Sequence, residues 1–204
     1  MFLKPRHKRT RSSHKRGETT AVGSAARRAQ TRFAITFVVV ATGLFGLYAF
    51  PYRDAGLSET WFQRYLSGYA RLAGGVLALF DPAVTVAGNA INGRYALRIV
   101  KTCDAMEANL LFLAAISAYP ARWLHKLMAA GLGLATLVAI NVLRICSLYF
   151  IGLRWPARFD FFHTELWPLL LVATTAGLFA VWVSWLTRRS ASHAPAPSPL
   201  SAIS

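Results

Sequence analysis

Three side chains able to carry out nucleophilic chemistry lie at the ends of long apolar segments of this sequence. Cys103 precedes one such segment, Arg144 lies near the end of the next, and His163 precedes the last. A thiolate attacks carbonyl carbons, an imidazole takes up and returns protons, and a guanidinium stabilises the negative charge of a tetrahedral intermediate. The three residues would therefore support acyl transfer if the fold brings them together.

Each of the three residues also has a purely structural explanation. A lone cysteine often packs as a small apolar residue, and His163 is equally well explained as a histidine at the membrane interface. Cys103, however, stands at the start of a helix, where the helix dipole favours a thiolate. Arg144 could extend to the membrane surface, but Asn141 places a second polar group on the same helical face. We therefore expect Arg144 to face the interior of a helical bundle.

Two acidic residues, Asp104 and Glu107, follow Cys103 directly. Charged groups near the hydrocarbon boundary are costly without a partner, so both are candidates for binding substrate or for supporting the site. We expect one of them to pair with Arg144, and we expect Asn141 to orient Arg144. Asp104 and Glu107 also have the spacing of a capping box, which would be a structural role.

The composition is that of a membrane protein. The 204 residues are 55% hydrophobic and only 15% charged, with a mean hydropathy of +0.39. Four long runs contain no charged residue, at 33–52, 108–121, 127–143 and 166–187. Such runs approach or reach the roughly 20 residues that cross a bilayer. The net charge of +15 lies mainly beside these runs, so a nucleic-acid-binding globule is not the explanation of the basic composition.

These runs predict an all-α integral membrane bundle of about four transmembrane helices. We expect the spans at residues 33–50, about 104–121, about 126–150 and about 164–187. The first would be a retained anchor, because no cleavage site of a signal peptide follows it. A short turn at 120–126 joins the second and third spans into a hairpin that returns to its starting side. Cys103, the end of the third span and His163 must then share one side of the membrane.

Two smaller elements are expected before Cys103. Residues 57–80 repeat aromatic and aliphatic side chains at helical spacing but include two arginines, which predicts an amphipathic helix that lies in the outer interface or caps the bundle. Residues 84–91 and 94–100 flank Asn92-Gly93 and predict a small β-hairpin that turns at this dipeptide.

The ends of the chain and its basic residues predict the orientation. The stretch 1–32, with ten Lys or Arg and one acid, and the Ser-, Pro- and Ala-rich stretch 188–204 are expected to be disordered tails. Both tails and the basic turn at 120–126 lie on the same side of the membrane. The positive-inside rule makes this side cytoplasmic. Residues 33–187 then form the transmembrane domain, with the candidate site on the outer face. The basic N-terminal stretch would also attract anionic membrane lipids, although setting the topology is its simpler role.

The segments around the candidate residues resemble those of the exosortase and archaeosortase family of membrane transpeptidases. Members of that family have a cysteine at the head of one span, Asn-x-x-Arg near the outer end of the next helix, and a histidine that opens the last span. The matching segments here are 99–107 with Cys103, 139–145 with Asn141 and Arg144, and 162–165 with His163. The resemblance covers residues 84–187, and the short first anchor is similar to that of the compact exosortase H type.

The resemblance implies a function and a role for each residue. Cys103 would be the nucleophile, Arg144 the electrostatic stabiliser and His163 the general acid and base. The implied activity is that of a cysteine transpeptidase or peptidase, which cleaves C-terminal sorting signals of secreted proteins at the outer face of the inner membrane. Such a signal has a short motif, a hydrophobic helix and a basic cluster. The family commonly has Ser-Gly after the cysteine, whereas this chain has Asp104-Ala105.

Other classes of protein remain open or are disfavoured. A non-catalytic membrane assembly factor or peptide-binding subunit would use the polar residues to hold the bundle together and would tolerate serine in place of Cys103. A thiol redox protein is disfavoured, because Cys103 and Cys146 lack Cys-x-x-Cys spacing and Cys146 is better explained by packing. No second histidine near the site completes a zinc ligand set, so we expect no metal and no cofactor. We also expect no nucleic-acid partner.

Overall fold

The computed structural model of the protein describes residues 10–49, 56–100, 103 and 105–192. The helices and strands of this part are α1 (Thr10–Ala49), α2 (Gly56–Leu77), β1 (Thr85–Ala87), β2 (Ala90–Asn92), β3 (Leu97–Arg98), α3 (Met106–Ala118), α4 (Trp123–Arg154) and α5 (Trp167–Ser192). A 3₁₀ turn (Pro156–Arg158) and a π-helical turn (Phe161–Leu166) connect α4 to α5. The architecture is an all-α membrane bundle with a small sheet, as the sequence predicts.

Three helical segments in the described part are long and apolar enough to cross a membrane. They are Ala26–Tyr48 within α1, Trp123–Arg154, and Pro156–Arg189. The predicted span at 104–121 is wrong in its length, because α3 has only 13 residues and is about 20 Å long. That length is less than the roughly 30 Å of a hydrocarbon core. The helix ends early because Tyr119 adopts the extended backbone that a following proline favours.

The short helix α3 is the inner helix of the bundle, since it packs against α1, α4 and α5. Five of its side chains are buried: Ala108, Asn109, Phe112, Ala114 and Ile116. The Phe112 ring lies directly on Gly133 of α4, where even a single methyl group would overlap with it. A glycine at this position thus lets α3 and α4 approach closely.

The first helix begins well before the apolar run. The expectation of a disordered tail at 1–32 is wrong for residues 10–32, which are the first part of α1. This stretch has several alanines and arginines and no proline, so nothing in it ends the helix. At the other end α5 continues to Ser192, beyond the predicted start of the second tail at residue 188. Residues 1–9 and 193–204 lie outside the described residues.

The predicted helix over 57–80 is present as α2, and the predicted hairpin is a three-stranded antiparallel sheet in the order β1-β2-β3. The sheet has a turn that the sequence did not predict, because Ala87 pairs with Ala90 across Gly88-Asn89. The predicted reversal at Asn92-Gly93 is its second turn, which is longer than two residues because Ile91 pairs with Leu97. Gly88 has a φ of 59°, which glycine adopts without steric cost at the first central position of a type II′ turn. Both α2 and the sheet pack on the half of the bundle that contains Cys103 and Ile145.

Asp81 ties the loop before the sheet to α4. The hydroxyl of Tyr149 donates to Oδ2 of Asp81 at 2.8 Å, and the N–H of Ala83 donates to Oδ1 at 3.1 Å. Arg94 Nε lies 3.7 Å from Oδ1. The Tyr149 hydrogen bond is the main reason that the pKa of Asp81 lies below its ordinary value of 3.8, with Ala83 and Arg94 acting in the same direction and burial opposing them.

Replacement of Tyr149 by phenylalanine is expected to lower the melting temperature at neutral pH, because the buried carboxylate of Asp81 loses a hydrogen-bond donor. Since folding lowers the pKa of Asp81, the stabilisation is fully present above pH 3.8 and is lost as the pH falls through the folded-state value. Melting curves of both proteins in one detergent should therefore diverge most near neutral pH and converge in acid. A difference in melting temperature that is independent of pH would contradict this explanation.

Candidate active site

The candidate site lies where β3 leads into α3. The N–H of Cys103 donates to the carbonyl of Val100 at 2.8 Å, so the chain turns immediately after β3. This turn brings Cys103 into the apolar cluster formed by α2, the sheet and α4, where the cysteine is only 9% exposed. The surrounding residues of the bundle therefore shield its thiol from solvent and hold it in one position.

The thiol of Cys103 contacts the imidazole of His163, with Sγ and Nε2 separated by 3.0 Å. At this distance the imidazole can accept the thiol proton and leave a thiolate, which is the reactive form. The His163 ring is half-buried and stacks on Phe159, with ring centroids 5.6 Å apart and planes 23° from parallel. The two residues lie at one end of the bundle, as the hairpin of spans predicts.

The basic turn between α3 and α4 lies at the opposite end. The ring of His125 contacts the ring of Trp185 near the end of α5, with centroids 5.4 Å apart. The 19 residues from His125 to Arg144 correspond to about 28 Å along α4. This separation is close to the thickness of a hydrocarbon core, roughly 30 Å. The Cys103–His163 pair and the basic turn are thus about one membrane thickness apart.

Arg144 faces the interior of the bundle, as predicted, and is 3% exposed. Its NH2 group donates to the backbone carbonyl of His163 at 3.2 Å. A guanidinium placed at the centre of a membrane helix costs roughly 2.5 to 3.5 kcal/mol by insertion scales, somewhat less near the interface. Arg144 is therefore held at the site by specific contacts and not by solvation at the surface.

The carbonyl of His163 is available to Arg144 because the helical hydrogen bonding is interrupted there. The N–H of Trp167 donates to the carbonyl of Phe162, five residues back, whereas in an α-helix it would reach His163. The next residue, Pro168, has no N–H to donate. The His163 carbonyl therefore receives neither the α-helical bond from Trp167 nor a π-helical bond from residue 168, and the guanidinium of Arg144 donates to it.

Asn141 is fully buried and donates from Nδ2 to the backbone carbonyl of Cys103 at 3.0 Å. The sequence predicts that Asn141 orients Arg144, and that role stays a prediction. The contact with Cys103 gives Asn141 a different effect, on the segment that carries the thiol. Through Asn141 and Arg144, which are three residues apart on one face of α4, the same helix holds the backbone of both Cys103 and His163.

Glu107 has a smaller part in the site than the sequence predicts. Glu107 is exposed and makes no ion pair with Arg144 among the described residues, so the predicted pairing is wrong for Glu107. The capping box is also wrong, because the N-cap of α3 is Ala105 and not Asp104, which puts Glu107 one position too early. Asp104 itself lies outside the described residues, and its pairing with Arg144 stays a prediction.

Ala105 has a backbone conformation that disfavours side chains. Its φ of 53° and ψ of 17° place it in the left-handed region, where a Cβ costs about 1 kcal/mol or more. It is the second residue after Cys103, where the family pattern noted above has glycine. A glycine at this position would adopt the left-handed conformation without steric cost.

Replacement of Ala105 by glycine is expected to raise the free energy of unfolding by about 1 kcal/mol, because glycine adopts this conformation without strain. The matched control is Ala115→Gly in the middle of α3, which should lower it by about 1 kcal/mol through loss of helix propensity. Thermal unfolding of the three purified proteins in one detergent measures both effects. Destabilisation by Ala105→Gly to the same extent as by Ala115→Gly would show that the left-handed turn is not strained.

An apolar pocket of about 90 Å³ opens beside the Cys103–His163 pair. Its walls come from three parts of the chain: β3 and the residues after it, the part of α4 that contains Ile145 and Leu148, and the turn before α5. The apolar side chains that line it include Leu97, Ile145, Leu148 and Phe159. The reactive pair therefore borders a space that can receive part of another molecule.

The second cysteine does not take part in this site. Cys146 is buried, and its Sγ lies 3.7 Å from the carbonyl of Ala73 in α2. Both cysteines have free thiols. The expectation that Cys146 has a packing role is confirmed, and the geometry gives no support to a redox pair.

A sequence model of the family described as transmembrane exosortase (Exosortase_EpsH) matches residues 28–180, which is most of the chain. This protein belongs to the transmembrane exosortase family. No curated protein and no solved structure matches it. The family match confirms the resemblance that the segments around Cys103, Arg144 and His163 indicate. It also confirms that this exosortase is an integral membrane protein, in agreement with its long apolar helices.

Sequence reasoning missed three residues that shape the site of this exosortase. Phe159 stacks on His163, Pro168 frees the His163 carbonyl, and Ala105 makes the turn into α3. Phe159 could have been found from its position four residues before His163, which places two rings on one helical face. Pro168 is visible only as a proline near a helix start, and the one signal for the left-handed Ala105 is the glycine that the family pattern has at this position.

Proposed function

We propose that this exosortase is a cysteine transpeptidase that cleaves C-terminal sorting signals of secreted proteins through a thioacyl-enzyme. The observation that carries the proposal is the 3.0 Å contact between Cys103 Sγ and His163 Nε2, beside the buried guanidinium of Arg144. A thiol in contact with an imidazole is the arrangement that nucleophilic catalysis by cysteine requires.

The reaction begins when His163 takes the proton of the Cys103 thiol. The thiolate attacks the scissile carbonyl carbon, and the guanidinium of Arg144 stabilises the resulting oxyanion. When the intermediate collapses, the C–N bond breaks and His163 returns the proton to the leaving amine. The acyl group stays on Cys103 as a thioester until an acceptor nucleophile takes it. Transfer to water would make the protein a peptidase, and transfer to another acceptor makes it a transpeptidase.

We place this reaction at the outer face of the inner membrane. The basic residues of the α3–α4 turn and of the end of α5 lie about one membrane thickness from Cys103. The positive-inside rule makes that basic end cytoplasmic. A secreted substrate anchored by its hydrophobic helix would lie beside the bundle and present its motif at the level of Cys103.

The test is to trap the acyl-enzyme. The exosortase is co-expressed with secreted proteins of the same genome that end in a motif, a hydrophobic helix and a basic cluster, and it is then denatured in acid. Mass spectrometry should find a substrate fragment on the peptide that contains Cys103, and neutral hydroxylamine should release it. Processing of the substrate without any adduct on Cys103, or with an adduct on Cys146, would overturn the proposal.

A further inference from the structure

The outer edge of β3 is open and faces away from the rest of the sheet. In the described part of the chain, the sheet order β1-β2-β3 leaves β3 with a strand neighbour on one side only. The N–H of Ile99 donates to the carbonyl of Asn89 at 2.9 Å, and the Asn89 side chain donates to the carbonyl of Ile99 at 2.8 Å. Both backbone groups of Ile99 therefore point towards β2.

Backbone groups alternate in direction along an antiparallel strand, so those of Arg98 point the opposite way. The pairing of Arg98 with Ala90 is of the type in which the two residues exchange no hydrogen bonds, because the bond from Ile99 to Asn89 flanks it. The N–H and the carbonyl of Arg98 are thus directed to the outer edge. This edge offers one donor and one acceptor to a neighbouring extended chain.

The open edge leads directly to the candidate nucleophile. After Arg98 the chain passes through Ile99 and Val100, turns, and reaches Cys103. Arg98 and the next two residues also line the pocket that contains Cys103 and His163. The other walls of this pocket are mainly apolar side chains, including Ile145 and Leu148 of α4. The edge would bind a peptide backbone, and the pocket would bind an apolar side chain. The thiol would react with a carbonyl group.

We propose that an extended segment of the substrate adds to β3 as a further strand and exchanges two backbone hydrogen bonds with Arg98. A small aliphatic side chain next to the scissile carbonyl then occupies the pocket, and the carbonyl carbon lies at Cys103. Addition of a strand to an open edge is a common mode of peptide recognition, in which the backbone bonds give affinity and the pockets give specificity. Because β3 has only two residues, the edge recognises a short motif. This inference deepens the proposed function and rests on it for the identity of the substrate.

The experiment measures how fast peptide probes label Cys103. The probes are acetyl-Ala-Ala-Leu and acetyl-Ala-Ala-Gly vinyl sulfones, and iodoacetamide serves as a reagent without a peptide backbone. The variant Arg98→Pro removes the outward N–H but no hydrogen bond of the sheet, a position at which an edge strand tolerates proline. The matched variant Arg98→Ala removes the guanidinium and keeps the N–H.

We expect Arg98→Pro to slow labelling by the leucine probe about tenfold relative to labelling by iodoacetamide, which corresponds to one lost hydrogen bond. Arg98→Ala should have a smaller effect, and the wild-type protein should prefer the leucine probe to the glycine probe. Equal relative rates in Arg98→Pro and Arg98→Ala would overturn the proposal. Rates with iodoacetamide report separately on the Cys103–His163 pair in each variant.

A second measurement needs no variant. Leucine probes that are N-methylated at one backbone position at a time are tested on the wild-type protein, and methylation at the residue opposite Arg98 should slow labelling about tenfold. Equal rates for all methylated probes would overturn the docking mode even if Arg98→Pro failed to fold. Failure of the proposed function has a different signature: the peptide probes would label Cys103, but sorting-signal substrates would leave no acyl group on it.

Discussion

Replacement of Cys103 by alanine is expected to abolish substrate processing, with a fall in rate of about a thousandfold or more. The reason is that the variant keeps the imidazole of His163 and the guanidinium of Arg144 but has no atom to form the acyl bond. The fold should be retained, because alanine fits in the space of the thiol and the hydrogen bond from Asn141 is to the Cys103 backbone. Processing is followed by the mass of the secreted substrate, and folding by the melting temperature of the purified variant.

The matched control for this prediction is Cys146→Ala. Cys146 is also a buried free thiol, but it contacts α2 and not His163. We expect this variant to process substrate at a rate close to that of the wild type. Processing by Cys103→Ala would show that Cys103 is not the nucleophile. Full function of Cys103→Ser would favour the alternative of a non-catalytic assembly or peptide-binding subunit, in which Cys103 only packs.

The meeting of Cys103 with His163 could be predicted because it depends on few features of the sequence. Two apolar helices joined by a short turn must return to the side from which they start, so the residue before the first and the residue after the second lie at one end. Cys103 and His163 meet although α3 is shorter than predicted, because the hairpin from α3 to α4 is present even though α3 is too short to cross the membrane. The interior position of Arg144 followed from the second polar residue, Asn141, on the same helical face.

The atomic contacts of the site could not be predicted, because they depend on competition between hydrogen bonds. Whether Trp167 donates to Phe162 or to His163 is decided by the packing of the turn before α5 and not by the sequence of the turn alone. The left-handed conformation of Ala105 likewise follows from the requirement that the chain enter α3 directly after burying Cys103. The additional turn at Gly88-Asn89 was missed because Asn-Gly is the stronger hairpin signal, whereas the chain in fact reverses at both places.

Replacement of Arg144 by lysine is expected to lower substrate processing about a hundredfold, although the positive charge is kept. A guanidinium carries five N–H donors in a planar fork, so one nitrogen can hold the carbonyl of His163 while another reaches the oxyanion. The single ammonium group of lysine cannot perform both tasks in the same geometry. The rate at which the variant processes the substrate measures the combined loss of both tasks.

Alkylation of Cys103 by iodoacetamide separates the two tasks of Arg144. This reaction needs the thiol–imidazole pair but forms no oxyanion, so slower alkylation in Arg144→Lys would reveal a loss of His163 positioning. The variant Pro168→Ala provides an independent test, because in the π-helical register of this turn it supplies an N–H that competes with Arg144 for the His163 carbonyl. We expect it to slow alkylation in the same way while leaving Arg144 in place. Slower processing with unchanged alkylation in Arg144→Lys would mean that Arg144 acts on the oxyanion alone. The break in helical hydrogen bonding at His163 would then be a consequence of Pro168 without a role in holding the imidazole.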